Sequence, residues 1–206
     1  MHILVVSATE REIPRLSSGP RGNHQVDVLI TGVGMVATAA RSAQALARTR
    51  YDIAYNFGVC GAFDRALAPP TVVHVVSDCV PELGAEDGDR FLTLAQLGIG
   101  PHDDVLRNDA PPSNAALRAL PGVHGITVNT VHGRDDSIAA IVERLAPQVE
   151  SMEGAAFAYA CAISRVPYAQ VRAVSNVVER RNRAAWQLDH AIRHLNEVAL
   201  RILDLS

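Results

Sequence analysis

At 206 residues and 48% hydrophobic, the chain can bury one substantial core but is short for two, so one domain over residues 1–206 is expected. A net charge of −3, with acids and bases mixed along the chain, provides no basic stripe for nucleic acid. No run approaches the roughly 18 apolar residues of a membrane span, and the start MHILVVSATE brings in charge too early for a signal peptide; a cytoplasmic protein with a small-molecule partner is expected.

Short apolar runs alternate with longer stretches of helical period, the pattern of an α/β fold with a buried, largely parallel sheet. Strands are predicted at residues 2–6, 26–30, 53–59, 72–77, 125–130 and 169–175. Helices are predicted at 10–16, 35–48, 113–120, 136–145, 152–164 and 184–205. Between 80 and 114 the composition shifts to Gly, Pro and Asp. A connection this long inside a compact domain reads as an active-site or subunit-contact loop, with a solvated insertion as the alternative.

Several patterns imitate chemistry without completing it. Cys60, Cys79 and Cys161 form no CxxC and are odd in number, which speaks against a disulfide framework or a cysteine zinc site. All 19 cationic side chains are arginine, so no lysine is available for a Schiff base, a phosphate loop or a general base. Gly32-Val-Gly34-Met-Val-Ala37 has the spacing of a dinucleotide fingerprint, but no acid closes the second strand. Those glycines instead suit close approach of the backbone to a sugar. His190 and His194 share a helix face without a third ligand, so no metal is expected, and no cofactor is called for. Cys60 lacks the GxSxG frame of a nucleophile elbow.

Four segments lie at or just beyond the carboxyl ends of predicted strands: Ala8-Thr-Glu-Arg-Glu12, Asn56-Phe-Gly-Val-Cys-Gly61, Glu150-Ser-Met-Glu-Gly154, and Ser175-Asn176 with the downstream Arg180 and Trp186. Open α/β sheets bind ligands at that edge, so the four segments point to a single site. In this order, with TGVG after the second strand, they resemble the nucleoside phosphorylase and nucleosidase superfamily from Glu12 to Trp186. The stretch VNTVHG at 128–133, the loop GAEDGD at 84–89, and SNVVER followed by Trp186 look most like the futalosine hydrolase family.

The resemblance implies a three-layer α/β fold, with a central mixed, mostly parallel twisted sheet flanked by helices. It implies hydrolysis of the N-glycosidic bond of a purine nucleoside, with hypoxanthine released from futalosine in alternative menaquinone biosynthesis. It also implies a homodimer or higher homo-oligomer. Glu12 matches the water-activating glutamate of the nucleosidases, although Thr9 and Glu12 also spell a T-x-x-E capping box, and Glu10 is the fallback base. Two carboxylates at the first turn would repel phosphate, so water is the expected nucleophile. Glu153 matches the glutamate that accepts hydrogen bonds from the ribose hydroxyls, which also favours an oxocarbenium-like transition state. Asn176 stands where adenine-directed nucleosidases carry aspartate. An amide cannot act as a general acid, but it can donate to a 6-oxo group, which points to hypoxanthine or guanine. Met152, Gly34, Gly58, Phe57, Val131, His132, Arg180 and Trp186 are the further substrate-binding candidates. His132 or one arginine among Arg180, Arg181 and Arg183 is the candidate reader of the substrate's carboxylate. A methylthioadenosine or adenosylhomocysteine nucleosidase is the runner-up, against which Asn176 stands, and a non-catalytic nucleoside-binding member of the fold is the rival outside enzymes.

Overall fold

The computed structural model describes residues 1–99 and 105–204. In chain order the strands are β1 (His2–Ser7), β2 (Gly19–Arg21), β3 (His24–Ile30), β4 (Ile53–Ala62), β5 (Val72–Cys79), β6 (Gly84–Asp87), β7 (Arg90–Thr93), β8 (Leu106–Arg107), β9 (Gly122–Thr127), β10 (Val149–Ser151) and β11 (Tyr168–Val177). The helices are α1 (Met35–Arg48), α2 (Leu94–Leu97), α3 (Ala115–Arg118), α4 (Asp135–Leu145), α5 (Gly154–Ser164) and α6 (Leu188–Asp204), with single 3-10 turns at Glu10–Glu12 and Arg183–Ala185.

The main sheet runs β10-β9-β5-β11-β4-β1-β3-β2, with β8 beside β5. The pairings β1–β3, β1–β4, β4–β11, β5–β9 and β9–β10 are parallel, while β2–β3, β5–β8, β5–β11 and β4–β10 are antiparallel. This is the mixed, mostly parallel sheet expected from the alternating pattern. The last of these pairings, β4 with β10, closes β4, β11, β5, β9 and β10 on themselves. Cys60, Val73, Val75, Val123, Val149 and Val174 form one core cluster within those strands.

Helices cover both sides of the sheet, so β1 is apolar on both of its faces. Ile3 and Val5 pack with Ala191, Leu195 and Ile202 of α6, whereas Leu4 and Val6 pack with Leu46 of α1 and Phe157 and Cys161 of α5. The buried positions of α6 recur at helical spacing, and each fully buried Leu or Ile contributes about 1.5–3 kcal/mol.

Differences from the expected elements have local causes. The helix foreseen at 10–16 stops after one 3-10 turn, because Pro14 has no N–H and disfavours helical backbone at Ile13. The helix foreseen from 184 starts at Leu188, and Trp186 is extended, with φ −73° and ψ 132°. The segment 80–114 holds the β6–β7 hairpin, α2 and β8 rather than irregular loop, and its Leu83 and Leu94 line a groove shared with residues of α1 and α5. Residues 100–104 of that segment, and residue 205 of the last predicted helix, lie outside the described residues.

A buried polar network fixes the start of α5. The Asp78 carboxylate accepts from Thr127 Oγ1 at 2.9 Å and from Gln170 Nε2 at 3.2 Å, and Thr127 Oγ1 accepts from the Ala155 backbone N–H at 2.7 Å. Burial pushes the Asp78 carboxyl up from 3.8 to about 6, with the hydrogen bonds from Thr127 and Gln170 pulling the other way. A carboxyl raised in the folded state binds more protons there than in the unfolded chain, so its contribution to stability falls as pH rises through that window. Between about pH 4 and pH 6 the parent is expected to lose up to ~3 kcal/mol relative to Asp78→Asn in urea unfolding. A difference that stays constant across that range would show that Asp78 does not titrate there.

Candidate active site

The carboxyl ends of β1, β4, β10 and β11 meet at one cleft, the usual ligand position in open α/β sheets. Two lobes of about 440 Å³ and 540 Å³ share Gly61, Val131, Glu150, Asn176, Arg181 and Trp186, so they form one continuous space of ligand size.

Glu12 ends the 3-10 turn after β1 and lines the cleft, whereas Glu10 is exposed and outside it. Its Oε2 accepts from the Thr9 backbone N–H at 3.0 Å, Thr9 Oγ1 at 3.0 Å and Ser7 Oγ at 3.2 Å. Its Oε1 accepts from the Val59 backbone N–H at 3.2 Å. The capping box and the cleft carboxylate are therefore one feature: the box aims the carboxylate. An ionised carboxylate so held can take a proton from a water molecule beside it.

Glu153 occupies the N-cap position of α5 and is 9% exposed. Its Oε1 accepts from the Gly34 backbone N–H at 2.9 Å, and Gly34 holds φ 97°, a conformation other residues rarely adopt. Burial raises the Glu153 carboxyl above its ordinary value. The Arg172 charge and the Gly34 N–H oppose that rise, and the Glu12 charge adds to it.

Arg172 is the feature that the sequence reading missed. It sits in the middle of β11, 1% exposed, and donates to the Asn56 carbonyl at 3.3 Å and to Asn56 Oδ1. A Cβ on Gly58 would meet Arg172 Nη1 at 3.0 Å and Glu12 Oε1 at 3.1 Å, so Gly58 makes room for that pair rather than facing a ligand. The guanidinium charge thus opposes the repulsion that the Glu12 charge adds at Glu153. A lone arginine inside the run YAQVRAVSNV was the available signal, since a charge in a central strand demands a partner.

The register of β11 against β4 shifts between Val174 and Asn176, and this bulge turns Asn176 into the cleft. Asn176 Oδ1 accepts from Ser175 Oγ at 2.8 Å, and Nδ2 donates to the Val177 carbonyl at 3.0 Å. An amide held this way keeps a second N–H and a second lone pair.

Met152, Val131 and Trp186 line the cleft. His132 does too, with Nδ1 2.7 Å from Glu150 Oε2 and its ring edge-on to Phe63. Phe57 does not: it is fully buried, ring to ring with Tyr55 at 5.8 Å in the core under α6, because β4 alternation turns it away. Gly34 reaches the site only through its bond to Glu153, and the neighbouring Val33 is the residue at the cleft wall. Arg180 is exposed and lines neither lobe. Its neighbour Arg181 lines both, with its guanidinium 5.3 Å from the centre of the Trp186 ring. The Cys60 thiol, pushed up to about 12 by burial, stays protonated at neutral pH and fits a core role.

The sequence model of the Phosphorylase superfamily matches residues 7–204, which places the chain in that superfamily. A futalosine hydrolase of Streptomyces coelicolor is 36% identical over 181 residues, covering 83% of this chain and 75% of that protein. A futalosine hydrolase of Acidothermus cellulolyticus is 34% identical over 215 residues, covering 93% and 86%. Within the superfamily, the chain belongs to the family of these futalosine hydrolases. The fold is shared more widely. The crystal structure of a methylthioadenosine/adenosylhomocysteine nucleosidase from Colwellia psychrerythraea, in complex with adenine, superposes with TM-score 0.80 at 19% identity over 100% of this chain and 96% of that one.

Proposed function

We propose that the protein hydrolyses the N-glycosidic bond of a 6-oxopurine nucleoside, with futalosine as substrate and hypoxanthine and dehypoxanthine futalosine as products, in alternative menaquinone biosynthesis in the cytoplasm. The observation that supports this reading most is the meeting of two carboxylates, Glu12 and Glu153, with the Asn176 amide in one cleft. Water at Glu12 loses a proton to the carboxylate as its oxygen bonds to C1′. The electron pair of the C1′–N9 bond leaves with the purine. Glu153 accepts hydrogen bonds from the ribose hydroxyls and favours the positive charge that develops on the sugar. Asn176 donates to O6, and a 6-oxopurine carries the departing charge well enough for hydrogen bonding to serve. Arg181, beside Trp186, reads the carboxylate on the 5′ substituent.

The test is base release from futalosine, inosine and methylthioadenosine, followed by chromatography. Hypoxanthine from futalosine is expected, and Arg181→Ala should raise KM for futalosine while leaving inosine unchanged. Adenine released in preference would favour the nucleosidase alternative, and no base from any substrate would favour a binding protein.

The assembly we assign is a homodimer or higher homo-oligomer through the face of α1 and α5. Val36, Tyr159 and Ile163 are 79%, 58% and 60% exposed there, beside an apolar groove of about 530 Å³. Exposed apolar patches of this kind mark contact sites. Val33, 59% exposed, joins this patch to the cleft wall, so a second copy seated here would also narrow the cleft mouth. Sedimentation should show a dimer or larger species that Tyr159→Asp dissociates, and a monomeric parent would remove this assignment.

A further inference from the structure

The base end of the cleft has a built polar edge. Gly61 on β4 pairs in register with Glu150 on β10 at one side and with Asn176 on β11 at the other. Neighbouring strands lie about 4.8 Å apart, so the backbones of the two polar residues lie roughly 10 Å apart with a residue that has no side chain between them. A Cβ on Gly61 would lie 2.8 Å from Val178 Cγ2, 3.3 Å from Asn176 Nδ2 and 3.6 Å from Glu150 Cγ, so the missing side chain lets all three close in and brings the amide and the carboxylate to one edge of the cleft.

Glu150 is 3% exposed and lines both lobes. The His132 backbone N–H donates to its Oε1 at 3.1 Å, and His132 Nδ1 lies 2.7 Å from its Oε2; with the ring proton on Nδ1, the carboxylate accepts from both. A carboxylate has about four acceptor sites, so two donors leave it able to take another from a ligand. Burial raises the Glu150 carboxyl and the bond from His132 opposes that rise, so a further donor would offset the remaining cost of burial.

The two purine classes differ next to position 6. A 6-oxopurine has a donor, N1–H, beside the acceptor O6, whereas a 6-aminopurine has a bare lone pair at N1 beside a donor. We propose that Glu150, held by His132, accepts the N1–H of the 6-oxopurine whose O6 edge meets Asn176, and so determines base specificity. This inference rests on the proposed hydrolysis of a 6-oxopurine nucleoside. A 6-aminopurine would set its N1 lone pair against the carboxylate, leaving two acceptors face to face. Sites that read a hydrogen-bonding group in this way discriminate strongly.

The experiment compares kcat/KM for inosine and adenosine in the parent and in Glu150→Gln, whose amide can donate to N1 of adenine. The inosine-to-adenosine ratio is expected to fall about tenfold or more. A second measurement needs no variant: 1-methylhypoxanthine, which lacks the N1–H, should inhibit the parent at least tenfold more weakly than hypoxanthine. An unchanged ratio in Glu150→Gln, or equal inhibition by the two bases, would overturn the inference while leaving hypoxanthine release intact. A parent that releases adenine but no hypoxanthine would overturn the proposed function, and this inference with it.

Discussion

Glu12→Gln is expected to cut turnover by about 10²-fold or more while the protein stays folded, because the amide keeps the shape of the side chain but cannot take a proton from water. The amide oxygen can keep the bonds from Ser7 and Thr9. Its NH2 then faces the Val59 N–H, donor against donor, at a local cost of about 1–3 kcal/mol. Circular dichroism should therefore show a native spectrum with a modest drop in Tm. Glu10→Gln is the control and should hydrolyse normally, since Glu10 lies outside the cleft. Near-normal turnover in Glu12→Gln combined with a dead Glu10→Gln would mean that the other carboxylate activates the water.

Arg172→Met is expected to destabilise the protein by about 3–5 kcal/mol, since removing one member of a buried charge group leaves the others uncompensated. Glu12 and Glu153 would then face each other without the guanidinium, and Asn56 would lose its donors. Urea unfolding reads the loss. The double variant Arg172→Met with Glu153→Gln should recover part of it, because a neutral amide no longer repels Glu12. A loss below about 1 kcal/mol would show that the guanidinium is not compensating these carboxylates.

Local signals located much of this machinery. The apolar period gave α1 its observed bounds, and the strand cores at 2–6, 26–30 and 53–59 fall inside β1, β3 and β4. These residues carry their own periodicity, and each element is long enough to express it. The resemblance of short motifs placed Glu12, Glu153 and Asn176 at strand ends, where the fold then joins them in one cleft.

What lay beyond local pattern was everything set by strands distant in sequence. The three-residue β10 is too short to show a period, yet its pairing with β4 brings Glu150 beside Gly61. Phe57 reads as a cleft wall from its motif, but the sheet's neighbours decide which face of β4 looks at α6. Arg181 rather than Arg180 lines the cleft, and Trp186, extended before α6 where the pattern suggested helix, lines it beside Arg181. The sequence by itself thus determined which side chains could carry chemistry and at which strand ends they sit, because those properties depend on residue type and local period. Only the tertiary structure decided which of them share one cleft, and that the buried Arg172 charge acts on Glu153, because strand pairing and burial are non-local and set the charge environment of each group.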